Sequence, residues 1–293
     1  GVSKVFHLQM PAPDAIRLLT PYGESSPMGL LWTFMGFSPS YSFFTGAIEM
    51  VAGFLLFFRR TTLLGSVISA AIMTQVVLLN FCYDVPVKLW SSQLLLMSLY
   101  LAGPDFHRLL SVFFSDQVKP RALLVRNWQS RSHRLAAVAS KVFVIGLLLH
   151  SSVALYPVWR NRQLPPAERD LSGLYQVVSF SINGVDRPPL LTDMLRWRRV
   201  YFGQKSVVAF YSMEDRPRFG RVDELRNGDV AITTFGPTQT HTFKYELGVE
   251  DGITLHGQFD EAEVSAVLKK IDDTNFPLLR RGFHWINQSP YNR

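Results

Sequence analysis

The sequence Asn80-Phe-Cys-Tyr-Asp-Val-Pro-Val-Lys88 joins two apolar runs, residues 61–79 and 89–103, and decides how the first half of the chain folds. Each run is long enough to cross most of a bilayer. Pro86 lacks a backbone donor and disfavours a helical conformation at Val85, so the sequence predicts a shaped turn rather than a continued helix. The connection carries an amide, a thiol, a phenol, a carboxylate and an ammonium. It is either a binding site at a membrane edge or an anchored turn.

Two further apolar runs flank this hairpin, residues 41–58 before it and residues 135–158 after it. The four runs predict an α-helical transmembrane bundle of about four membrane segments over residues 41–159. Residues 1–40 predict an irregular or re-entrant segment, because the apolar run 28–37 is too short to span; a short helix buried in the bundle is the alternative. The chain begins without an initiator methionine or a signal-like segment. We therefore expect upstream sequence, including a further transmembrane helix.

Positive charge is concentrated beside the apolar runs. Residues 1–159 hold 12 Lys and Arg against 6 Asp and Glu, whereas residues 160–293 hold 18 against 17. Cytoplasmic loops of membrane proteins carry an excess of basic residues, so Arg59-Arg60 and the basic loop 104–136 are predicted to be cytoplasmic. The turn before Lys88 and the C-terminal part of the chain then lie outside a bacterial cytoplasmic membrane. Because the excess charge has this topological role, nucleic acid is not expected as a partner.

The composition changes after Pro165-Pro166 to short segments of alternating polarity separated by turn residues. Asn-Gly and Asp-Gly pairs, which favour tight hairpin turns, occur at 183–184, 227–228 and 251–252. Such spacing predicts an extracytoplasmic all-β antiparallel barrel or sandwich over residues 170–293. The predicted strands are 174–182, 206–211, 229–235, 240–247, 252–257 and 263–269.

Glu49 is the most informative single residue, because a carboxylate in the middle of a spanning helix faces the bundle or a polar cavity. Ser42, Gly46, Glu49 and Gly53 share one helix face, and the small residues allow a second helix to approach closely. Glu49 is therefore a candidate proton-handling or ligand-binding group. The alternative is a protonated or hydrogen-bonded packing residue.

Two clusters give further ligand-binding candidates. Asn80, Tyr83, Asp84 and Lys88 suit a quinone head group or another polar molecule; alternatively, Asp84 caps the following helix or pairs with Lys88, and Tyr83 anchors the interface. The C-terminal stretch 280–287 is dense in polar and aromatic groups, and it equally suits a final strand with satisfied hydrogen bonds. Its candidate residues are Arg281, His284 and Trp285.

The single cysteine, Cys82, excludes an intrachain disulfide and a CxxC redox pair. Any redox chemistry would therefore require a bound cofactor, a quinone or a partner. No His or carboxylate pattern has metal-ligand spacing, and no catalytic triad or phosphate-binding loop is recognisable. The motifs alone leave the enzymatic status of the chain open.

Residues 23–110 resemble the DoxX-like family of bacterial integral membrane proteins. The resemblance lies in Tyr22-Gly-Glu-Ser-Ser-Pro-Met-Gly-Leu-Leu-Trp-Thr-Phe-Met-Gly36, Phe44-Thr-Gly-Ala-Ile-Glu49, Arg59-Arg-Thr-Thr-Leu-Leu-Gly65 and Asn80-Phe-Cys-Tyr-Asp-Val-Pro-Val-Lys-Leu89. It implies a four-helix membrane unit, here in a subgroup with an additional C-terminal β domain. It also implies a link to thiosulfate:quinone oxidoreductase and to membrane oxidoreductase assemblies.

Two functions follow as hypotheses. The first is a subunit of a quinone-linked membrane oxidoreductase, with a bound quinone and with electrons supplied by a partner subunit. The second is a non-catalytic scaffold or binding module, anchored in the lipid bilayer, that binds a protein or an apolar ligand through the outer β domain.

Overall fold

The computed structural model describes residues 1–114, 131–163, 171–203, 206–224, 229–235, 239–248, 252–272, 275–282 and 284. The chain divides into two compact units. The helical unit comprises residues 1–13 and 22–164, and the barrel unit comprises residues 14–21 and 165–293.

The helices differ widely in length, from one turn to nine turns. They are α1 (Val2–Val5), α2 (Ala15–Leu19), α3 (Pro27–Phe37), α4 (Pro39–Leu56), α5 (Thr62–Cys82), α6 (Lys88–Ala102), α7 (Phe106–Phe114), α8 (Arg131–Gln163) and α9 (Pro277–Arg280).

Local sequence sets where α3 and α4 begin. The Ser26 and Ser38 hydroxyls accept hydrogen bonds from the main-chain nitrogens of Gly29 (3.1 Å) and Tyr41 (3.3 Å). Each serine is followed by a proline at the first helical position, where the missing N–H costs nothing. The run 28–37 thus forms most of the α-helix α3, in which Leu31 and Met35 are buried.

The turn between α5 and α6 closes with a helix-terminating motif. Asp84 takes a left-handed conformation, with φ of 51°, and the Val85 N–H donates to the Asn80 carbonyl at 3.0 Å. This six-residue hydrogen bond is typical of helix C-termini that end in a left-handed residue. Pro86 follows and prevents continuation. The shaped turn predicted from the sequence therefore has a specific backbone geometry.

Two helical segments are long and apolar enough to cross a membrane. They are Thr62–Cys82, with a mean hydropathy of 2.0, and Val138–Val158 within α8, with a mean hydropathy of 1.8. Only 11% of the first window and none of the second is buried inside the molecule, so both expose apolar side chains, as lipid-facing helices do. A helix of 21 residues is about 31 Å long, close to the hydrocarbon thickness of a bilayer.

The described residues of the barrel unit form nine antiparallel strands. They are β1 (Gly173–Ile182), β2 (Val185–Asp186), β3 (Trp197–Phe202), β4 (Val207–Ser212), β5 (Pro217–Glu224), β6 (Asp229–Thr234), β7 (Gln239–Leu247), β8 (Ile253–Phe259) and β9 (Ala262–Ile271). Neighbours along the chain pair with each other from β3 to β9, and β1 pairs with both β3 and β9. Eight strands therefore close an antiparallel β-barrel. Of the predicted barrel and sandwich, the barrel is confirmed.

Side chains fill the barrel interior, as expected for eight strands. Trp197 lies at the centre of an aromatic cluster, with ring centroids 4.4 Å from Phe210, 5.0 Å from Phe259 and 5.1 Å from Phe180. The turn Asn183-Gly184 has both residues at positive φ, the conformation that the Asn-Gly pair predicts.

Residues 14–21 belong to the barrel unit rather than to the helices that flank them in sequence. Asp14 caps α2 by accepting the Arg17 N–H at 3.1 Å. Burial raises the pKa of Tyr211 on β4 to about 12, and the negative charge of Asp14 acts in the same direction.

Arg196, immediately before β3, is a charged residue in the barrel core. It is 2% exposed. Its guanidinium donates to the main-chain carbonyls of Arg187 (2.8 Å) and Trp197 (2.8 Å), and more weakly to those of Val177 and Val178 (3.5 Å each). Burial lowers the pKa of Arg196, which the Asp193 carboxylate partly opposes. These main-chain carbonyl groups, which we call the carbonyl shell, offset the free-energy cost of burying the guanidinium.

Candidate functional site

Glu49 lies where α1 packs on α4. Its carboxylate forms an ion pair with the Lys4 ammonium, and the main-chain nitrogen of Gly1 lies 3.0 Å from the second carboxylate oxygen. The Lys4 and Glu49 side chains are only 10% and 13% exposed. Removing two charges from water costs free energy, and their mutual attraction must offset that cost. A pair kept at such a position is therefore a candidate for a functional role.

The small residues on the same face of α4 allow this approach. The Ser42 hydroxyl donates to the Lys4 carbonyl at 3.2 Å. At Gly46, a Cβ atom would lie 2.6 Å from the Gly1 carbonyl oxygen and 2.8 Å from the Val5 nitrogen. The close helix approach predicted for this face is therefore present, and α1 is the element that makes it.

A cavity of about 300 Å³ opens beside this ion pair within the helical unit. Its polar lining consists of Lys4, Gln9, Thr45, Glu49, Gln75 and Asn80. Its aromatic lining consists of Trp32, Tyr41 and Phe44, and the remainder is aliphatic. Apolar walls with a few convergent polar groups are the usual form of a small-molecule site, and 300 Å³ is at the small end of the usual volumes.

Asn80 and Tyr83 turn inward from the turn between α5 and α6. Asn80 is 6% exposed, and its side-chain nitrogen donates to the Ser91 hydroxyl at 2.9 Å. An amide carries two donor hydrogens and an acceptor oxygen, so this bond leaves capacity for a ligand. Tyr83 packs against the buried cluster of Met10, Leu31, Met35 and Val85.

Asp84 and Lys88 turn outward and pair with each other. The Lys88 nitrogen lies 2.5 Å from an Asp84 oxygen, and the Asp84 side chain is 82% exposed. The hydrogen bond and charge of Lys88 lower the pKa of Asp84. The pairing of Asp84 with Lys88 is the alternative that the sequence offered to a ligand-binding role for these two residues. The structure thus brings Glu49 and Asn80 into one cavity lining and leaves Asp84 and Lys88 outside it.

Glu49 also lines a second cavity, of about 490 Å³. It is almost entirely apolar, and α8 contributes Ile145, Leu148, Leu149 and Ser152. Glu49 therefore contributes to the lining of two cavities of the helical unit. This position suits a group that exchanges a proton or a hydrogen bond between them.

The C-terminal candidates belong to the barrel unit. The His284 Nδ1 atom lies 2.8 Å from the Gly282 carbonyl oxygen, and Arg281 is half-buried. Trp285 lies outside the described residues. The prediction of a binding site in this stretch remains a prediction.

A polar groove of about 630 Å³ runs along the barrel at β6, β7 and β8. Two polar atoms in its lining are buried and have no hydrogen-bond partner among the described residues, His241 Nε2 and Asp229 Oδ1. The His241 ring lies inside the barrel end, with its centroid 4.5 Å from that of Phe259, and its Nε2 is 3.8 Å from Asp260 Oδ1. Burial lowers the pKa of His241, an effect that Asp260 opposes and Arg218 reinforces.

The described part of the chain contains no group of three or more His, Cys, Asp or Glu side chains that could hold a metal ion. The helical unit offers hydrogen bonding, charge and proton exchange around Lys4 and Glu49. Sequence reasoning missed Lys4, because its partner Glu49 lies 45 residues further along the chain and no short-range pattern reports the contact.

Comparison with known proteins identifies similarity to the uncharacterized protein YwoB of Bacillus subtilis strain 168, with 35% identity over 97 residues. The similar region covers 33% of this chain and 63% of YwoB, so it spans less than two thirds of that relative. No family model matches the sequence, and no solved structure matches it.

Proposed function

We propose that this chain is a DoxX-like protein of the bacterial cytoplasmic membrane that binds a quinone-class molecule in the cavity beside Glu49, as a subunit of a membrane oxidoreductase assembly. The observation that carries the proposal is this cavity, with the Lys4–Glu49 pair and Asn80 in one mostly apolar lining. The apolar composition of α5 and α8 supports the membrane location.

The proposal includes α4 and α6 as further membrane segments. With 18 and 15 residues, they are about 27 and 22 Å long, short of the hydrocarbon core unless flanking residues reach the interface. Both present many exposed apolar side chains, among them Phe43, Phe54, Trp90, Leu96 and Leu99. Membrane burial is the simplest reason for such a surface.

The residues fit a quinone head group by chemistry and size. The Lys4 ammonium and the Asn80 amide supply donors for carbonyl oxygens, and Trp32, Tyr41 and Phe44 supply flat walls. A quinone supplies two-electron chemistry when bound. Glu49 holds or passes the accompanying proton, and a partner subunit supplies the electrons, because Cys82 is the single cysteine of the chain.

Mass spectrometry of the gently solubilised protein tests this proposal. We expect a stoichiometric quinone in the wild type that is lost in Glu49→Gln. Glu24→Gln is the matched control, because Glu24 is exposed and outside the cavity. A protein that carries only bulk lipid, or equal quinone occupancy in both variants, would contradict the proposal.

The second candidate is a membrane-anchored binding module that acts through its β-barrel. The observation in its favour is the polar groove with the unpartnered His241 and Asp229 atoms, because buried polar atoms of this kind normally have partners. This reading expects Glu49→Gln to be tolerated. It also expects Lys244→Ala and His256→Ala in the groove lining to abolish partner recovery in cross-linking experiments without loss of the fold.

A further inference from the structure

The connection between β2 and β3, residues 187–195, exposes a cluster of large apolar side chains. Leu190, Leu191, Met194 and Leu195 are 56%, 67%, 56% and 62% exposed. Single exposed apolar residues are ordinary, but four within six positions form a contiguous patch of the kind that marks an interaction surface. We call residues 187–195 the apolar loop.

The apolar loop is held in shape by polar contacts at its base. The Arg187 guanidinium donates to both Asp193 oxygens, at 3.0 and 3.1 Å. Asp193 also accepts the main-chain N–H groups of Leu195 (3.0 Å) and Arg196 (3.3 Å). The buried Arg196 ties the loop to the barrel through the Arg187 carbonyl. The exposed side chains therefore project from a loop whose backbone is held in place by hydrogen bonds.

The same contacts lower the cost of moving the loop into an apolar medium. Its two charged groups, Arg187 and Asp193, pair with each other. Pro188 and Pro189 have no N–H, and the main-chain N–H groups of Leu190 and Asp193 donate to carbonyls inside the loop, at 2.8 and 3.0 Å. Unpaired polar groups are what makes such transfer expensive.

We propose that the apolar loop inserts into the surface of the lipid bilayer that holds the helical unit. This inference rests on the membrane location proposed above. Residues 164–172 connect α8, with its apolar segment Val138–Val158, to β1. The barrel therefore begins only nine residues after α8 along the chain, so a membrane that holds α8 is an apolar medium available to the loop.

A lipid surface suits the apolar loop better than a protein groove does. The exposed side chains are flexible aliphatic groups, whereas the central contacts of protein interfaces are enriched in Trp, Tyr and Arg. Insertion of short apolar loops or helix faces by several ångströms is a known mode of interfacial binding.

Site-directed fluorescence in lipid nanodiscs tests the proposal on the full chain. An environment-sensitive dye is attached to Leu191→Cys in a Cys82→Ser background, where it replaces an exposed side chain. We expect a blue-shifted emission and strong quenching by lipids that carry a nitroxide near the head group. Glu246→Cys, an exposed site on β7, is the barrel control and should show neither effect.

A third labelled variant, Leu78→Cys on the exposed face of α5, separates failure of this inference from failure of the membrane proposal. Quenching at Leu78 without quenching at Leu191 would overturn insertion of the loop and leave the membrane location intact. A blue shift at Leu191 without lipid quenching would indicate a protein contact and also overturn the proposal. No quenching at Leu78 would refute the membrane location itself.

Discussion

The Lys4 ammonium and the Glu49 carboxylate, 45 residues apart in sequence, form an ion pair across the α1–α4 contact. The sequence singled out Glu49 but not its partner. Glu49 in isolation is a costly charge in an apolar helix, and Lys4 lies in a helix of four residues. Together they place a paired charge in the lining of the cavity of about 300 Å³.

We expect Lys4→Met to destabilise the helical unit by about 3 kcal/mol, because it removes the Lys4 ammonium from the largely buried Glu49 carboxylate. The double variant Lys4→Met/Glu49→Gln should recover most of the loss, since it removes both charges. Thermal unfolding in detergent measures both effects. Lys88→Met breaks the exposed pair with Asp84 and should cause no measurable change. Equal losses in the single and double variants would contradict a paired role.

Gly46→Ala should weaken the contact between α1 and α4 by about 1–3 kcal/mol. The added methyl group would meet main-chain atoms of Gly1 and Val5 at less than 3 Å, and those atoms cannot rotate away. Gly53→Ala is the control, because a Cβ atom there meets nothing within 4 Å. It should stabilise α4 by up to about 1 kcal/mol through helix propensity. Hydrogen exchange of the α1 amides provides the readout.

Arg196→Met should destabilise the barrel by about 3 kcal/mol or more, because it leaves several buried carbonyl groups without their donors. The same substitution at Arg216, whose side chain is 79% exposed, should have little effect. Hydrogen-exchange mass spectrometry of β1 and β3 measures the difference. If Arg196→Met left exchange in these strands unchanged, the carbonyl shell would have no structural importance.

Barrel stability should fall as the pH decreases through about 6.5, the pKa of an unperturbed histidine. The pKa of His241 is lowered in the folded state by burial, so below 6.5 the unfolded state binds a proton more readily than the folded state. Above that pH, this residue contributes no dependence. Asp260 and Arg218 are the charged groups nearest to it, and Asp260 opposes the effect.

Chemical unfolding at pH 7.5 and pH 5 tests this dependence. His241→Gln should flatten it, whereas His256→Gln, at an exposed position on β8, should retain it. If the pH dependence of barrel stability were unchanged in His241→Gln, it would arise from other titratable groups.

Patterns with a short period were readable from the sequence. The close-packing face of α4 follows from helical spacing of Ser42, Gly46 and Glu49. The antiparallel β domain follows from alternating segments and turn pairs such as Asn183-Gly184, whereas the choice between barrel and sandwich depends on the distant pairing of β1 with β9. The turn after α5 follows from Pro86. In each case a local rule agrees with the tertiary structure.

Features set by distant contacts were missed. The predicted strands omitted β3, where a bulge between Trp197 and Arg199 interrupts alternation. Arg198 and Arg199 lie at this bulge, and both form ion pairs with Asp215, at 2.5 and 2.7 Å. Asp215 lies in the connection between β4 and β5, so this pairing leaves no periodic signal.

The backbone conformation of the β8–β9 turn could not be predicted for a similar reason. Asp260 and Glu261 both have positive φ, where Asn or Gly is usual. The contact of Asp260 with Arg218 on β5 compensates for the strain, and it joins residues 42 positions apart. Short-range sequence patterns do not report such a contact.

The pairing of β1 with β9 also determines the order in which the barrel can form during synthesis. Leu174 pairs with Ile271, so the first long strand leaves the ribosome about 100 residues before its final neighbour. Until then β1 has an open edge, and open edges invite pairing with other chains. Closing so long a loop is slow. The ordering of this barrel is therefore a late event in biogenesis, and nascent chains would be most vulnerable to aggregation, and most dependent on chaperones, just before β9 emerges.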